Sequence, residues 1–483
     1  MVKKLLYFFL FFFNFSFLIS LENDNELFLT GRESFYNGDF LDAVYFFSES
    51  LRIEPDSSLI FSYRARAYGA LGYYEEGMQD ANHAIMLDSQ NAYAYFALGN
   101  IYADMDDFVT ALRYFTLAVY HEPNETNFFS NRALAHYSMN NHDLALRDFQ
   151  DALRLDQNNI TALYYRAILY SNTGSLSSAI SDFTSIIALN PGIPEVWFNR
   201  GAAYGYLNNH NMAINDYNTA INLNPNYLAA YQNRGLLYFK LGDFINAIND
   251  FTTVIAINPE FYIAYNDRGN SYTNIGDIDS AFSDYDNAIR IAPLYALTYN
   301  NRGFLYMNIG DLENALRDFS RAIELDPSHV LAYNNRAYLY MNMGYFDLAI
   351  EDFSISIRLE FNNEAAYFYR GLIYLELGDH RAAVDDLTHA IRISPNNAEA
   401  YNQRGISHVL MQDFLRAMDD FNMVLRFHPE HADTYDRRGF VYANMGDFQR
   451  AMEDFETALR IDPNNASARG NLNILRSMQL NSP

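Results

Sequence analysis

The chain has 483 residues, half of them hydrophobic, and carries 59 acidic residues against 33 lysines and arginines, a formal net charge of −26. Binding to nucleic acid requires a basic surface that neutralises phosphates, so this charge argues against a nucleic-acid partner and against an anionic membrane surface. The chain contains no cysteine, which excludes disulfides and thiolate chemistry.

The first 21 residues have the three-part form of a secretory signal. Lys3 and Lys4 precede a phenylalanine-rich apolar run, and Ser20 is a small residue shortly before an acidic stretch. This pattern predicts a signal peptide over residues 1–20, cleaved after Ser20. The alternative is an uncleaved membrane anchor, because the apolar run approaches the length of a spanning helix.

One pattern of 34 residues recurs from residue 24 to residue 465 without insertion or deletion. Its clearest copy is residues 296–329, in which proline occupies position 32. Ten of the twelve prolines keep this phase: Pro55, Pro123, Pro191, Pro225, Pro259, Pro293, Pro327, Pro395, Pro429 and Pro463. A fixed period of this length is typical of a solenoid, whose repeats pack on their neighbours to form one elongated domain.

Within the copy at residues 296–329, apolar and small residues occur twice at helical spacing. Tyr299, Gly303 and Tyr306 share one face of a first helix, and Ala315 and Phe319 share one face of a second. A glycine–aspartate pair interrupts the pattern between them, and a proline ends the second helix. Each repeat is therefore predicted to be an antiparallel pair of helices.

An aromatic residue followed by x3-Gly-x2-Tyr, then Ala-x3-Phe and Pro, at a period of 34 residues, resembles the tetratricopeptide repeat. The resemblance covers residues 24–465. It implies an all-α fold, a right-handed α-solenoid of about 13 helical hairpins. It also implies that residues 466–478 form an additional helix that covers the last hairpin, and that the chain is a scaffold rather than an enzyme.

The first copy, residues 24–57, departs from the pattern. It has Thr30 and Phe46 where most copies have arginine and aspartate, and residues 44–47 are unusually apolar. One interpretation is a terminal cap, since end repeats of solenoids deviate. The other is a contact surface for a partner or for a second copy of the chain.

Arginine at position 7 and aspartate at position 23 are each present in eleven copies, and both are replaced in the same two, by Thr30 with Phe46 and by Leu98 with Tyr114. Joint replacement predicts a salt bridge within each copy, because loss of one partner alone would leave a buried charge. Arg302 is thus expected to pair with Asp318. The alternative is that these arginines bind acidic ligands.

In the resembling family the first helices line a concave groove that meets the ligand, chiefly through positions 2, 5, 6, 9, 12 and 13. Asparagine recurs here at positions 5 and 6, and its amide can pair with both halves of a peptide unit. The position-6 series resembles the asparagine ladder of O-linked N-acetylglucosamine transferases. The predicted peptide-binding residues are Asn131, Asn199, Asn233, Asn266, Asn300, Asn301, Asn334 and Asn335. The alternative is that these asparagines only cover a solvated face.

No glycine-rich phosphate loop, GxSxG elbow or HExxH motif occurs, and His428 and His431 lie on either side of a helix-breaking proline. No catalytic residue, metal site or cofactor is therefore predicted. The leading hypothesis is an exported scaffold or adaptor, periplasmic or secreted, that binds an extended segment of a protein partner in its groove. The alternative is a membrane-anchored structural or envelope-assembly protein that uses its ends or convex face.

Overall fold

The computed structural model describes residues 26–480, which form 27 α-helices and no strand. Residues 1–20, where the signal peptide is predicted, lie outside the described part. The first helices of successive repeats are α1 (Glu26–Asn37), α3 (Ser58–Ala70), α5 (Ala92–Asp104), α7 (Thr126–Ser138), α9 (Ile160–Asn172), α11 (Pro194–Tyr206), α13 (Leu228–Lys240), α15 (Tyr262–Ile275), α17 (Ala296–Asn308), α19 (Val330–Asn342), α21 (Glu364–Glu376), α23 (Ala398–Leu410) and α25 (Ala432–Asn444).

The second helices alternate with the first along the chain. They are α2 (Phe40–Ile53), α4 (Tyr74–Leu87), α6 (Phe108–His121), α8 (His142–Leu155), α10 (Leu176–Leu189), α12 (His210–Leu223), α14 (Phe244–Ile257), α16 (Ile278–Ile291), α18 (Leu312–Leu325), α20 (Phe346–Leu359), α22 (His380–Ile393), α24 (Phe414–Phe427) and α26 (Phe448–Ile461). A last helix, α27 (Ala466–Leu480), follows them. The described part of the chain divides into two compact units, one up to residue 243 and the other from residue 244 onward.

The turn inside a hairpin follows from two residues. Gly310 ends α17 with a φ of +84°, a conformation that glycine adopts without steric cost. Asp311 then accepts a hydrogen bond from the backbone N–H of Asn314 at 3.2 Å and caps α18. The core of this hairpin is the fully buried ring of Phe319, which packs so closely on Gly303 that an added Cβ would lie 2.9 Å from Cε1 of the ring.

The predicted salt bridges lie within single hairpins. In the ninth repeat, Nε and Nη2 of Arg302 donate to the two carboxylate oxygens of Asp318 at 2.7 and 2.9 Å, and the Asp318 side chain is only 4% exposed. The guanidinium also lies over the rings of Tyr299 and Tyr306. The same two-oxygen contact joins ten pairs: Arg64–Asp80, Arg132–Asp148, Arg166–Asp182, Arg200–Asp216, Arg268–Asp284, Arg302–Asp318, Arg336–Asp352, Arg370–Asp386, Arg404–Asp420 and Arg438–Asp454. The within-copy prediction is confirmed for these ten.

Within the described residues, eight of these ten arginines also reach the preceding repeat, a contact that the sequence pattern does not predict. Nη1 of Arg336 donates to Oγ of Ser320 at 3.1 Å, and Nη1 of Arg302 forms a second salt bridge with Asp286 at 2.6 Å. The acceptor occupies position 25, sixteen residues before the arginine. In these eight arginines Nε, Nη1 and Nη2 are all engaged, so the side chains serve the architecture rather than an acidic ligand.

The third repeat shows how the pair is replaced. Leu98 takes the arginine position and is 1% exposed. The ring of Tyr114, in the aspartate position, stacks on Tyr95 and Tyr102 with centroids 6.5 and 5.5 Å apart. An aromatic ring therefore lies between the two tyrosines that flank the guanidinium in other repeats, as joint replacement of the pair requires.

The helix after the last hairpin covers its core. Leu472 and Leu475 of α27 are 4% and 6% exposed and pack against a cluster that includes Phe455 of α26. Arg476 on the outer side of α27 forms a salt bridge with Glu456 at 2.7 Å. Within residues 26–480, no helix combines the length and the apolar character that crossing a membrane requires.

Candidate functional site

The eight asparagines predicted to bind peptide lie on first helices between α7 and α19. Asn131, Asn266 and Asn300 are buried, with 9%, 1% and 4% of their surfaces exposed. The remaining five are half-buried: Asn199, Asn233, Asn301, Asn334 and Asn335. The face of the first helices therefore holds these amides partly or wholly below its surface.

The asparagines form hydrogen bonds from one repeat to the next. Nδ2 of Asn301 donates to Oδ1 of Asn266 at 3.0 Å, and Nδ2 of Asn335 donates to Oδ1 of Asn300 at 3.0 Å. Both bonds join position 5 of one repeat to position 6 of the next, 35 residues later. The structure thus assigns part of the hydrogen-bonding capacity of these amides to the contact between adjacent first helices.

Other residue types make the same contact in other repeats. Nδ2 of Asn199 donates to the hydroxyl of Tyr164 at 3.1 Å, and Nη1 of Arg437 donates to Oδ1 of Asn402 at 2.7 Å. The contact between positions 5 and 6 therefore recurs at several repeat boundaries with different residue types, and the paired asparagines are one version of it. Asn233 has a different neighbour, Tyr217, to which it forms a hydrogen bond. Burial raises the pKa of Tyr217 to about 12, and the hydrogen bond from Asn233 opposes this rise.

The series of paired asparagines ends at Asn334. Its Oδ1 is buried and has no hydrogen-bond partner within the described residues. The residue 35 positions later is Tyr369, whose ring packs on Tyr338 and Phe353 with centroids 5.2 and 6.1 Å apart. An aromatic side chain thus replaces the donor that asparagine supplies in the two preceding repeats.

The accessible part of the face lies at positions 9 and 13 of the first helices. Phe304 and Phe440, at position 9, are 42% and 43% exposed. Position 13 carries the exposed asparagines Asn274, Asn308, Asn342 and Asn444. Exposed amides and exposed apolar side chains therefore lie one helical turn apart on the same helices. We call this surface the first-helix face.

Two arginines on this face are not among the residues predicted from sequence. Arg32 and Arg66 occupy position 9 of the first and second repeats, where no other repeat has a basic residue. Both lie among aromatic rings, and each has a buried nitrogen without a hydrogen-bond partner in residues 26–480. The sequence signal that could have identified them is a basic residue at position 9 in two consecutive repeats.

The described residues contain no group of three or more histidine, cysteine, aspartate or glutamate side chains that could hold a metal ion. His431 instead contacts the hydroxyl of Thr434 at 2.8 Å.

The curated relatives match this chain over only small parts of their own length. Mouse tetratricopeptide repeat protein 12 is 31% identical over a match that covers 17% of this chain and 12% of the mouse protein. The wheat Hsp70-Hsp90 organizing protein is 28% identical over a match that covers 20% of this chain and 16% of the wheat protein. The chain thus spans less than a fifth of these two relatives. Among solved structures, YrrB, described as a TPR protein with an unusual peptide-binding site, is 26% identical, has a TM-score of 0.37, and is matched over 96% of its chain and 38% of this one.

Family models cover most of the repeats. Models described as tetratricopeptide repeat match residues 130–194, 194–227, 229–261, 262–293, 296–329, 319–351 and 404–472, and a model described as TPR repeat matches residues 371–412. These matches agree with the 34-residue period and with the alternating helices. The chain belongs to the tetratricopeptide repeat family, and it is an all-α helical-repeat scaffold for protein–protein interaction.

Proposed function

We propose that this scaffold binds an extended segment of a partner polypeptide along its first-helix face, without catalysing a reaction. The observation that carries the proposal is the combination of exposed asparagines at position 13 with exposed aromatic or aliphatic side chains at position 9. An amide offers a donor and an acceptor to a peptide unit, and a neighbouring apolar side chain accommodates side chains of different shapes.

The inter-repeat hydrogen bonds support the same proposal in an indirect way. Asn335 uses one N–H in its bond to Asn300, so its second N–H and its carbonyl oxygen retain the capacity to bind a ligand. Because that bond restricts the rotamer of Asn335, less conformational entropy is lost when a peptide binds. Of the asparagines predicted from sequence, the half-buried ones at position 6 are the ones we retain as contacts.

The experiment compares two double variants by binding to an array of immobilised 15-residue peptides of varied sequence. In the test variant, Asn308→Ala and Asn342→Ala remove two exposed amides of the first-helix face. In the control variant, Asn215→Ala and Asn249→Ala remove two exposed amides from second helices.

We expect the control variant to bind as the parent does and the test variant to lose about tenfold in affinity, since each lost amide contact costs about 1 kcal/mol. Binding should depend weakly on salt, because neutral amides are not screened as charges are. Equal affinity of the test variant and the parent, with loss in the control, would move the binding surface to the second helices.

We also propose that the chain is exported by residues 1–20. The basic start, the apolar run and Ser20 support cleavage, as in a secretory signal. The test is the mass of the protein recovered from the exported fraction of an expressing cell. A mass that corresponds to a chain starting at Leu21 supports export with cleavage. The mass of a chain starting at Met1, recovered in a membrane fraction, supports the anchored alternative.

A further inference from the structure

The first-helix face of the first two repeats differs from that of the others in its chemistry. The guanidinium of Arg66 on α3 lies over four rings, those of Phe35, Tyr63, Phe96 and Tyr93, at 4.8, 5.1, 5.5 and 5.9 Å from their centroids. These rings belong to α1, α3 and α5, the first helices of three successive repeats. Arg66 is therefore enclosed by aromatic side chains rather than by carboxylates.

Arg32 on α1 belongs to the same arrangement. Its guanidinium lies 5.7 Å from the centroid of Phe28 and 5.7 Å from that of Tyr63. The Tyr63 ring thus contacts both cations, so the two guanidiniums share one aromatic neighbour. We call Arg32, Arg66 and the rings that contact them the aromatic–arginine cluster.

The two arginines keep hydrogen-bonding capacity that the described chain does not use. Nη1 of Arg66 and Nε of Arg32 are buried and have no hydrogen-bond partner in residues 26–480, and neither arginine forms a salt bridge there. Arg64, two residues before Arg66, is the opposite case, because it donates twice to Asp80 and once to Ser48. An unpaired buried donor destabilises a protein, so its presence on a proposed binding face indicates an acceptor supplied by a ligand.

We propose that Arg32 and Arg66 bind a carboxylate of the partner polypeptide, while the surrounding rings contact the apolar side chain next to that carboxylate. This inference rests on the proposed function and specifies part of the ligand. Guanidinium groups bind carboxylates through paired, charge-assisted hydrogen bonds. A phosphate-rich polyanion is disfavoured, because a chain with a net charge of −26 repels it more strongly than it repels a single carboxylate.

The experiment uses two acetylated octapeptides that differ only in two residues. Both alternate glycine, serine and phenylalanine, and one carries two glutamates where the other carries two glutamines. Fluorescence anisotropy is measured with the full chain, with the double variant Arg32→Gln and Arg66→Gln, and with the control double variant Arg52→Gln and Arg113→Gln. The control removes the same charge from second helices, where Arg52 is 76% exposed and Arg113 is also exposed.

We expect the parent and the control variant to bind the glutamate peptide at least about tenfold more tightly than the glutamine peptide, and the Arg32/Arg66 variant to bind both equally. The preference should diminish as salt is added. Equal binding of both peptides to the parent overturns this inference and leaves the proposed function standing. Absence of binding by either peptide overturns the proposed function and this inference with it.

Two further measurements distinguish a peptide carboxylate from a phosphate and from an acidic residue of the same chain. Inorganic phosphate should displace the glutamate peptide poorly, and efficient displacement would overturn the assignment to a carboxylate. The full chain with Glu22→Gln and Asp24→Asn should bind as the parent does, and a higher affinity would assign the cluster to this chain's own acidic residues.

Thermal unfolding tests whether Arg66 is merely structural. Arg66→Gln should lower the melting temperature less than Arg64→Gln does, because it removes cation–π contacts together with an unpaired buried donor, whereas Arg64→Gln leaves the carboxylate of Asp80 without its cation and should cost several degrees. A fall in melting temperature for Arg66→Gln as large as that for Arg64→Gln would overturn the inference.

Discussion

The third repeat provides a natural substitution that can be transferred to the ninth. Arg302→Leu alone removes two charge-assisted hydrogen bonds and leaves the carboxylate of Asp318, 4% exposed, without its cation. Breaking a buried pair in this way costs about 3–5 kcal/mol of unfolding free energy. The lost contact with Asp286, whose side chain is 63% exposed, adds at most about 1 kcal/mol.

The double variant Arg302→Leu with Asp318→Tyr should recover about 2–3 kcal/mol of that loss. The introduced ring can stack between Tyr299 and Tyr306, as Tyr114 stacks between its two neighbours in the third repeat. The coupling follows from a double-mutant cycle in urea, read by circular dichroism and by hydrogen exchange of α17 and α18, because repeat arrays can unfold in parts. Additive costs of the two single changes would refute this reasoning.

Three further predictions concern single side chains. Gly303→Ala should cost about 1–3 kcal/mol in urea unfolding, because the added Cβ would lie 2.9 Å from the ring that packs on it; an unchanged midpoint would contradict this packing. Burial lowers the pKa of His408 below its ordinary value of about 6.5, so the unfolded chain binds the proton first and stability should fall as pH drops below about 6.5. His408→Tyr should reduce this acid-side loss of melting temperature, and an unaltered pH profile would oppose the assignment. Asn335→Ala should lower the free energy of unfolding by about 1–3 kcal/mol, because it leaves the buried Oδ1 of Asn300 unpaired. Asn342→Ala, at an exposed site, should lower it by at most about 0.5 kcal/mol. Equal losses for the two variants in urea unfolding would argue against the inter-repeat bond.

The sequence was sufficient to predict the helices and the arginine–aspartate salt bridge inside each hairpin. The period of 34 residues and the spacing of apolar positions indicate two helices per repeat, and in the ninth repeat the second helix, which occupies positions 17–30, contains Ala315 and Phe319 as predicted. The pairing of Arg302 with Asp318 could also be predicted, because the arginine and aspartate positions of the repeat are replaced together in the same copies. Repeats within one chain act as independent trials of the same local contacts.

The contacts between repeats were not accessible in the same way. The bond from Asn335 to Asn300 joins two different positions of the pattern, and it depends on how far one first helix is offset along the next. Comparison of equal positions across copies detects no such offset. The sequence therefore predicts these asparagines as ligand contacts or as part of a solvated face, although the occurrence of asparagine at both positions 5 and 6 in consecutive copies is a signal for the contact between repeats.

The arginine that reaches back to the preceding repeat gives the array a direction. Arg336 donates to Ser320 of the preceding repeat, so the donor of this contact comes later in the chain than its acceptor. During synthesis each new repeat therefore emerges beside a neighbour that already offers its acceptor. Trimming from the carboxyl end exposes hydroxyls and amides to water, and trimming from the amino end exposes one guanidinium nitrogen that water also hydrates, so either truncation should cost chiefly the packing between the lost repeat and its neighbour.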